Sequence, residues 1–256
     1  MTLTSTEQRI AAEIASRSRD LLDDLRLHVG LPTGMNNKAA LDETRERFTE
    51  RLSSLGATVE LVEGDSKPDW LLGAQLGAPP PTAVCARKRG NMPSVLVAGH
   101  LDTVHDPEGD FRELTVSADG STATGPGCVD MKGGLVIAVA ALEALEACGV
   151  EASWTFTLNS DEETGPYHSE RVLREQAKLH DFGIALEPAL PDGSLAIDRM
   201  GSGQFMIECR GRSAHVGREF AKGVSAVTKL AECLVAVGGM ADLDRGRIVS
   251  VGPIEG

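Results

Sequence analysis

Aromatic side chains make up only 4% of this 256-residue chain, so aliphatic residues and alanine must build most of its core. Basic residues are also in deficit. Lys and Arg number 25 against 38 Asp and Glu, a net charge of −13 at pH 7. A nucleic-acid surface needs clustered Lys and Arg to release counterions, so that class of partner is excluded. Cysteine is sparse and irregular. Cys85, Cys128, Cys148, Cys209 and Cys233 are an odd number, widely spaced and without a CxxC pair, which suits reduced thiols better than a disulfide framework. No apolar run approaches the roughly 20 residues of a membrane helix. Residues 2–26 are charged throughout, with no apolar signal core. A cytoplasmic setting, with neither membrane nor nucleic acid as partner, is the expectation.

What is present is the composition of a soluble globular protein, 41% apolar and 25% charged. The length suits one large domain or one and a half ordinary ones. Surplus Asp and Glu are most often solvated surface, although such a surplus also provides for a cation site.

Apolar residues recur at helical spacing over 6–28, after Thr4-Ser5-Thr6 as caps, and the break at Gly30-Leu31-Pro32-Thr33-Gly34 ends that predicted helix. A second amphipathic helix is predicted over 39–55, then strands over 58–62, 83–88 and 94–98. The unbroken apolar run 95–98 predicts a strand buried on both faces of a parallel sheet. Residues 132–148 read as a largely apolar helix lying against a sheet, 153–159 as an alternating strand, 169–178 as a helix and 182–186 as a strand. Alternating strands and helices predict an α/β domain with a mainly parallel central sheet flanked by helices, over residues 1–195. After the turn-rich stretch at 188–193, a strand at 203–211, a helix at 224–237 and a strand at 247–251 predict the beginning of a small α+β domain over 196–256.

Four clusters of acidic residues and histidine sit at the ends of predicted strands, where ligands of open α/β sheets bind. His100-Leu101-Asp102 follows the first buried strand, and Asp130 lies in a Gly-rich turn that opens the long apolar helix. Glu162-Glu163 and Glu187 each follow a further strand. One His with several carboxylates supplies the N/O donors that suit zinc, and a carboxylate can bridge two ions. The i, i+2 spacing of His100 and Asp102 puts both side chains on one side of an extended segment. Asp102 can then accept the imidazole's other N–H. Of Glu162 and Glu163, one can face a metal and the other act as general base. Each piece alone has a plainer reading, as a capped turn or a solvated loop. The Gly-rich turn matches neither GxxxxGK[ST] nor GxGxxG, and an acidic residue there repels phosphate. The ordered coincidence of all four carries the argument.

The motifs GHLDTV (99–104), GPGCVDMKGG (125–134), NSDEETG (159–165), LEP (186–188) and GRSAHVG (211–217), in this order, resemble the aminoacylase / acetylornithine deacetylase / glutamate carboxypeptidase family of di-zinc hydrolases, most of all its glutamate carboxypeptidase branch. The resemblance implies two Zn²⁺ per site, with Co²⁺ or Mn²⁺ as substitutes. His100 and Glu187 would bind one zinc, Glu163 the other, and Asp130 both. It implies further that Asp102 orients His100 and that Glu162 is the base. His215 would polarise the scissile carbonyl, commonly in a dimer partner's site, although from the residues alone it reads as an exposed loop histidine. A cis Asp130–Met131 peptide, a lid or dimerisation role for 196–256 and a homodimer follow from the same resemblance. So does cleavage of a peptide or N-acyl amino acid next to a free carboxylate. Gly165-Pro166-Tyr167 departs from the family's usual Gly-Ser. The family chain is longer and supplies a last His ligand, which His105, His168 and His180 do not match in position, so the chain is expected to be C-terminally incomplete and weakly active. The competing expectation is a non-catalytic relative that serves as a binding or dimerisation module.

Overall fold

Thr4 starts the first helix by local chemistry. Its hydroxyl accepts the Glu7 N–H at 3.3 Å while the Glu7 carboxylate accepts the Thr4 N–H at 2.6 Å, so two of the orphan donors of a helix start are satisfied. The structure is a computed structural model describing residues 3–34, 37–71 and 74–254. The helix expected over 6–28 is two, α1 (Ser5–Ser16) and α2 (Ser18–Gly30), broken at Arg17 with φ −102° and ψ 8°. Both pack on α4 (Lys132–Ala147). Arg17 at the break pairs with Glu143 of α4 at 2.5 Å. Contact with α4 thus overrides the continuous helical period.

Helix α3 (Lys38–Ser54) precedes β1 (Thr58–Val62), and β2 (Thr82–Arg87) and β3 (Ser94–His100) follow. A two-stranded ribbon, β4 (Thr115–Val116) with β5 (Ala123–Thr124), leads into α4. Then come β6 (Ser153–Asn159), α5 (Glu170–Leu179) and β7 (Phe182–Ala185). The main sheet has the order β1-β2-β6-β3-β7. Strand β6 pairs parallel to β3, and β3 to β7, while β2 is antiparallel to both of its neighbours. Four of the five strands therefore run in one direction, and their carboxyl ends share one edge of the sheet.

The core joins Leu41, Phe48 and Leu52 of α3, Leu135, Val136 and Val139 of α4, and Trp154, Phe156 and Leu158 of β6. Alternation in β6 predicts one apolar and one polar face. The structure instead buries all seven of its positions. Its threonines are satisfied without water: Thr155 Oγ1 lies 2.8 Å from His180 Nε2, and Thr157 Oγ1 donates to the Val97 carbonyl at 3.5 Å. A buried polar side chain is tolerated where such partners exist. Strand β7 is an exposed edge, with Phe182 63% and Ile184 53% accessible.

The chain divides into two units, Met1–Arg199 and Met200–Gly256. In the second, α6 (Val216–Glu219) and α7 (Ala226–Gly238) form, the latter capped by the Ser225 hydroxyl. The strands expected at 203–211 and 247–251 do not. A strand exists only through a ladder with a neighbour. Among the described residues these segments offer no more than the isolated bridge between Asp242 and Arg247, with another at Arg212 and Val224. Alternating side chains alone do not make a sheet. No described helix is long and apolar enough to cross a membrane.

Candidate metal centre

The carboxyl ends of β3, β6 and β7, with the turn before α4, bring the four clusters to one place. His100 is the last residue of β3 and 1% exposed. Its Nδ1 lies 2.9 Å from the Asp102 backbone carbonyl and 3.5 Å from that residue's carboxylate. The carbonyl is the nearer of the two partners. A carbonyl only accepts, so Nδ1 carries the proton, and in the neutral ring the Nε2 lone pair faces the cluster. Around Nε2 stand Asp130 Oδ1 at 3.0 Å, Glu162 Oε2 at 4.0 Å and Glu187 Oε1 at 4.0 Å. Ligand atoms of His100, Asp130 and Glu163 lie within 4.8 Å of one another, and so do those of His100, Glu162 and Glu187.

Asp130 belongs to the Gly-rich turn before α4, and its peptide bond to Met131 is cis. Gly134 makes the turn fit. A Cβ there would stand 2.4 Å from the Leu186 carbonyl, so only glycine lets α4 approach the end of β7, from which Glu187 projects. Lys132 is 1% exposed and donates to the Leu31 carbonyl at 2.7 Å. Burial pushes its ammonium down to about 8.

Asp102 is fully buried. Its Oδ1 accepts the Glu162 N–H at 3.2 Å and its Oδ2 the Glu163 N–H at 2.9 Å. It therefore holds the loop that carries both glutamates as well as facing His100. Asp161, the residue before Glu162, is 2% exposed and accepts the N–H groups of His168 at 2.9 Å and Ser169 at 3.2 Å. Nothing in local spacing distinguishes it from a solvated loop carboxylate. His215 lies in the second unit, exposed, with Nδ1 accepting the Gly217 N–H at 3.1 Å. His180 is tied to Thr155, and His105 stacks edge-on against Phe111.

Electrostatics fit the donor set to a divalent cation. Burial, with the charges of Asp130, Asp102 and Glu162, raises Glu163 to about 7. Glu162 and Glu187 are raised by the same combination of burial and like charge. Burial opposes a charge on His100, but Asp102, Glu162 and Glu187 outweigh it and raise the imidazole to about 9. A cation placed among these groups inverts that balance, because carboxylates and neutral imidazole are then held in their ligating forms.

Comparison with known proteins follows the same lines. The family model for peptidase family M20/M25/M40 matches residues 96–242, more than half of the chain. Carboxypeptidase G2 from Pseudomonas sp. (strain RS-16) is 29% identical over 216 residues, covering 81% of this chain and 48% of the relative. Succinyl-diaminopimelate desuccinylase 2 from Shewanella loihica is 33% identical over 134 residues, covering 47% of this chain and 35% of the relative. Among solved structures, human carnosine dipeptidase 1 superposes with a TM-score of 0.62 at 18% identity, over 72% of this chain and 41% of that one. The chain spans about half the length of the first relative and about a third of the second.

Proposed function

The chain belongs to peptidase family M20/M25/M40, and on that premise we propose that it is a zinc-dependent hydrolase cleaving the amide bond of a peptide or N-acyl amino acid next to a free carboxylate. The observation that carries this reading is the gathering of Asp130, Glu162 and Glu187 around a buried His100 Nε2 at 3.0–4.0 Å. A carboxypeptidase and a desuccinylase among the relatives support the choice of amide substrates that bear carboxylates.

His100, Asp130, Glu163 and Glu187 would hold the metal, with Asp130 shared between two ions. Bound zinc supplies Lewis-acid activation of the amide carbonyl and of the attacking water. The chain's own residues do the rest. Glu162 takes the water's proton and returns it to the leaving amine, a role suited to a half-buried carboxylate 4.0 Å from the ring nitrogen that faces the cluster. Asp102 fixes the backbone of Glu162 and Glu163 and, through its carbonyl, the tautomer of His100. The second unit, with His215, is assigned the lid or dimerisation role within a cytoplasmic homodimer. The test is to measure metal per chain and hydrolysis of N-acyl amino acids and C-terminal carboxylate peptides by the zinc-loaded protein. Stoichiometric metal with turnover abolished by a chelator is the expected result. A chain that shows neither tight metal binding nor turnover overturns the reading.

A further inference from the structure

Glu162 and Glu163 sit on a loop that needs support from outside the metal cluster, and the structure shows where it comes from. The segment after β1, residues 63–67, lies along residues 161–171 as a strap. The Asp65 N–H donates to the His168 carbonyl at 3.0 Å. His168 is 4% exposed, accepts the Gly64 N–H on Nε2 at 3.2 Å and has Nδ1 3.1 Å from the Asp65 carbonyl. Arg171 donates to the Glu63 carbonyl at 2.9 Å. A Cβ on Gly64 would stand 1.9 Å from the His168 carbonyl oxygen, so glycine is required for this approach. At the strap's other end the Lys67 ammonium donates to the Thr164 hydroxyl and lies 3.5 Å from the Thr164 carbonyl. Thr164 directly follows Glu163, and its hydroxyl is 3.3 Å from the Asp161 carbonyl.

We propose that Lys67 is a positioning residue for the proposed hydrolase: by gripping Thr164 it holds Glu162 and Glu163 in their aim. The loop is thus fixed at three places, at its amides by Asp102, at Asp161 by the N–H groups of His168 and Ser169, and at Thr164 by Lys67. Only the last grip comes from a flexible cation. Burial lowers the pKa of Lys67 while the charges of Asp161 and Asp102 oppose that, so the ammonium is held between desolvation and the acidic loop. Lys67 makes no ion pair among the described residues, and the threonine is its hydrogen-bond partner there. A side chain that serves only the surface has no need of such a buried acceptor.

This inference rests on the hydrolase reading, and the experiment separates the two. Lys67→Met and Lys67→Arg are compared with the parent chain, each loaded with zinc and, separately, with Co²⁺. A displaced base or ligand of about 1 Å costs on the order of 10²-fold in rate, so Lys67→Met is expected to lower kcat about 10–100-fold. KM should stay within about twofold, as a change confined to the transition state requires. Lys67→Arg, which keeps a cation and donors, should recover most of the rate. The visible ligand-field bands of the Co²⁺ form should change in Lys67→Met and return in Lys67→Arg, because Glu163 moves with the loop. A kcat within about twofold of the parent in Lys67→Met, or a loss that merely follows the folded fraction, overturns the proposal. If no chain hydrolyses any substrate, the hydrolase reading fails. The cobalt spectra then decide the positioning role alone, and unchanged bands in Lys67→Met overturn it.

Discussion

Replacing Asp102 by asparagine changes little in volume but removes a charge and half of the acceptor capacity at a fully buried position. In the native chain each carboxylate oxygen receives one backbone N–H, from Glu162 at 3.2 Å and from Glu163 at 2.9 Å. Whichever way the introduced carboxamide turns, one of those N–H groups faces an NH₂ donor and loses its partner. A hydrogen bond to a charged group is worth about 1.5–3 kcal/mol, and a buried donor left unpaired costs a similar amount. These overlap, so the expected destabilisation is about 2–3 kcal/mol. At roughly 2–4 °C per kcal/mol for a chain of this size, Tm should fall by about 4–12 °C. The loop that slackens carries Glu163, and changes behind a ligand typically weaken metal binding by about 10–100-fold. Urea unfolding of the chelator-treated protein measures the first effect, and competition with a chromophoric chelator the second. If Asp102→Asn stays within about 0.5 kcal/mol of the parent, as an inert surface change would, and binds zinc equally well, the account of Asp102 as the anchor of this loop is wrong.

Glu162→Gln should lower kcat by about 10²–10⁴-fold while zinc content persists, since size and polarity remain and the proton acceptor is gone; near-normal turnover would reassign the base. Stripping the metal should make stability depend on pH. The folded His100 pKa of about 9 lies above its ordinary 6.5, so its contribution is complete below pH 6.5 and lost as pH rises through 9. The difference between those values is worth roughly 3 kcal/mol. Glu163, raised to about 7, adds a loss in the same direction between its ordinary 4.5 and that value. A urea midpoint that stays level from pH 6.5 to 9 in chelator-treated protein would contradict this balance. Gly134→Ala brings a Cβ to 2.4 Å from the Leu186 carbonyl, so α4 and the end of β7 must part, at about 1–3 kcal/mol. Zinc affinity should fall with it through Glu187, and an unaffected midpoint would show that the contact relaxes freely.

The elements of the first unit were legible because each depends on near neighbours. Helical spacing in 132–148 and the short apolar run at 95–98 report on the period of one segment, and the observed α4 and β3 lie at those places. The gathering of the candidate site's residues was legible for the same reason, since His100, Asp130, Glu162, Glu163 and Glu187 each follow or precede a recognisable strand or turn. Where the local signal misled, a distant partner had decided. Arg17 breaks a helix whose period runs on, because α4 lies beneath both halves. Strand β6 alternates in sequence yet is buried throughout, because it sits between β2 and β3 at the centre of the sheet. Residues 203–211 alternate without a ladder to join. The supports of the site belong to the same class. Asp102 meets amides 60 and 61 residues away, and Lys67 meets a threonine 97 residues away. Such pairings depend on the register in which the strands dock, a property of the packed sheet that the spacing of side chains along the chain does not encode.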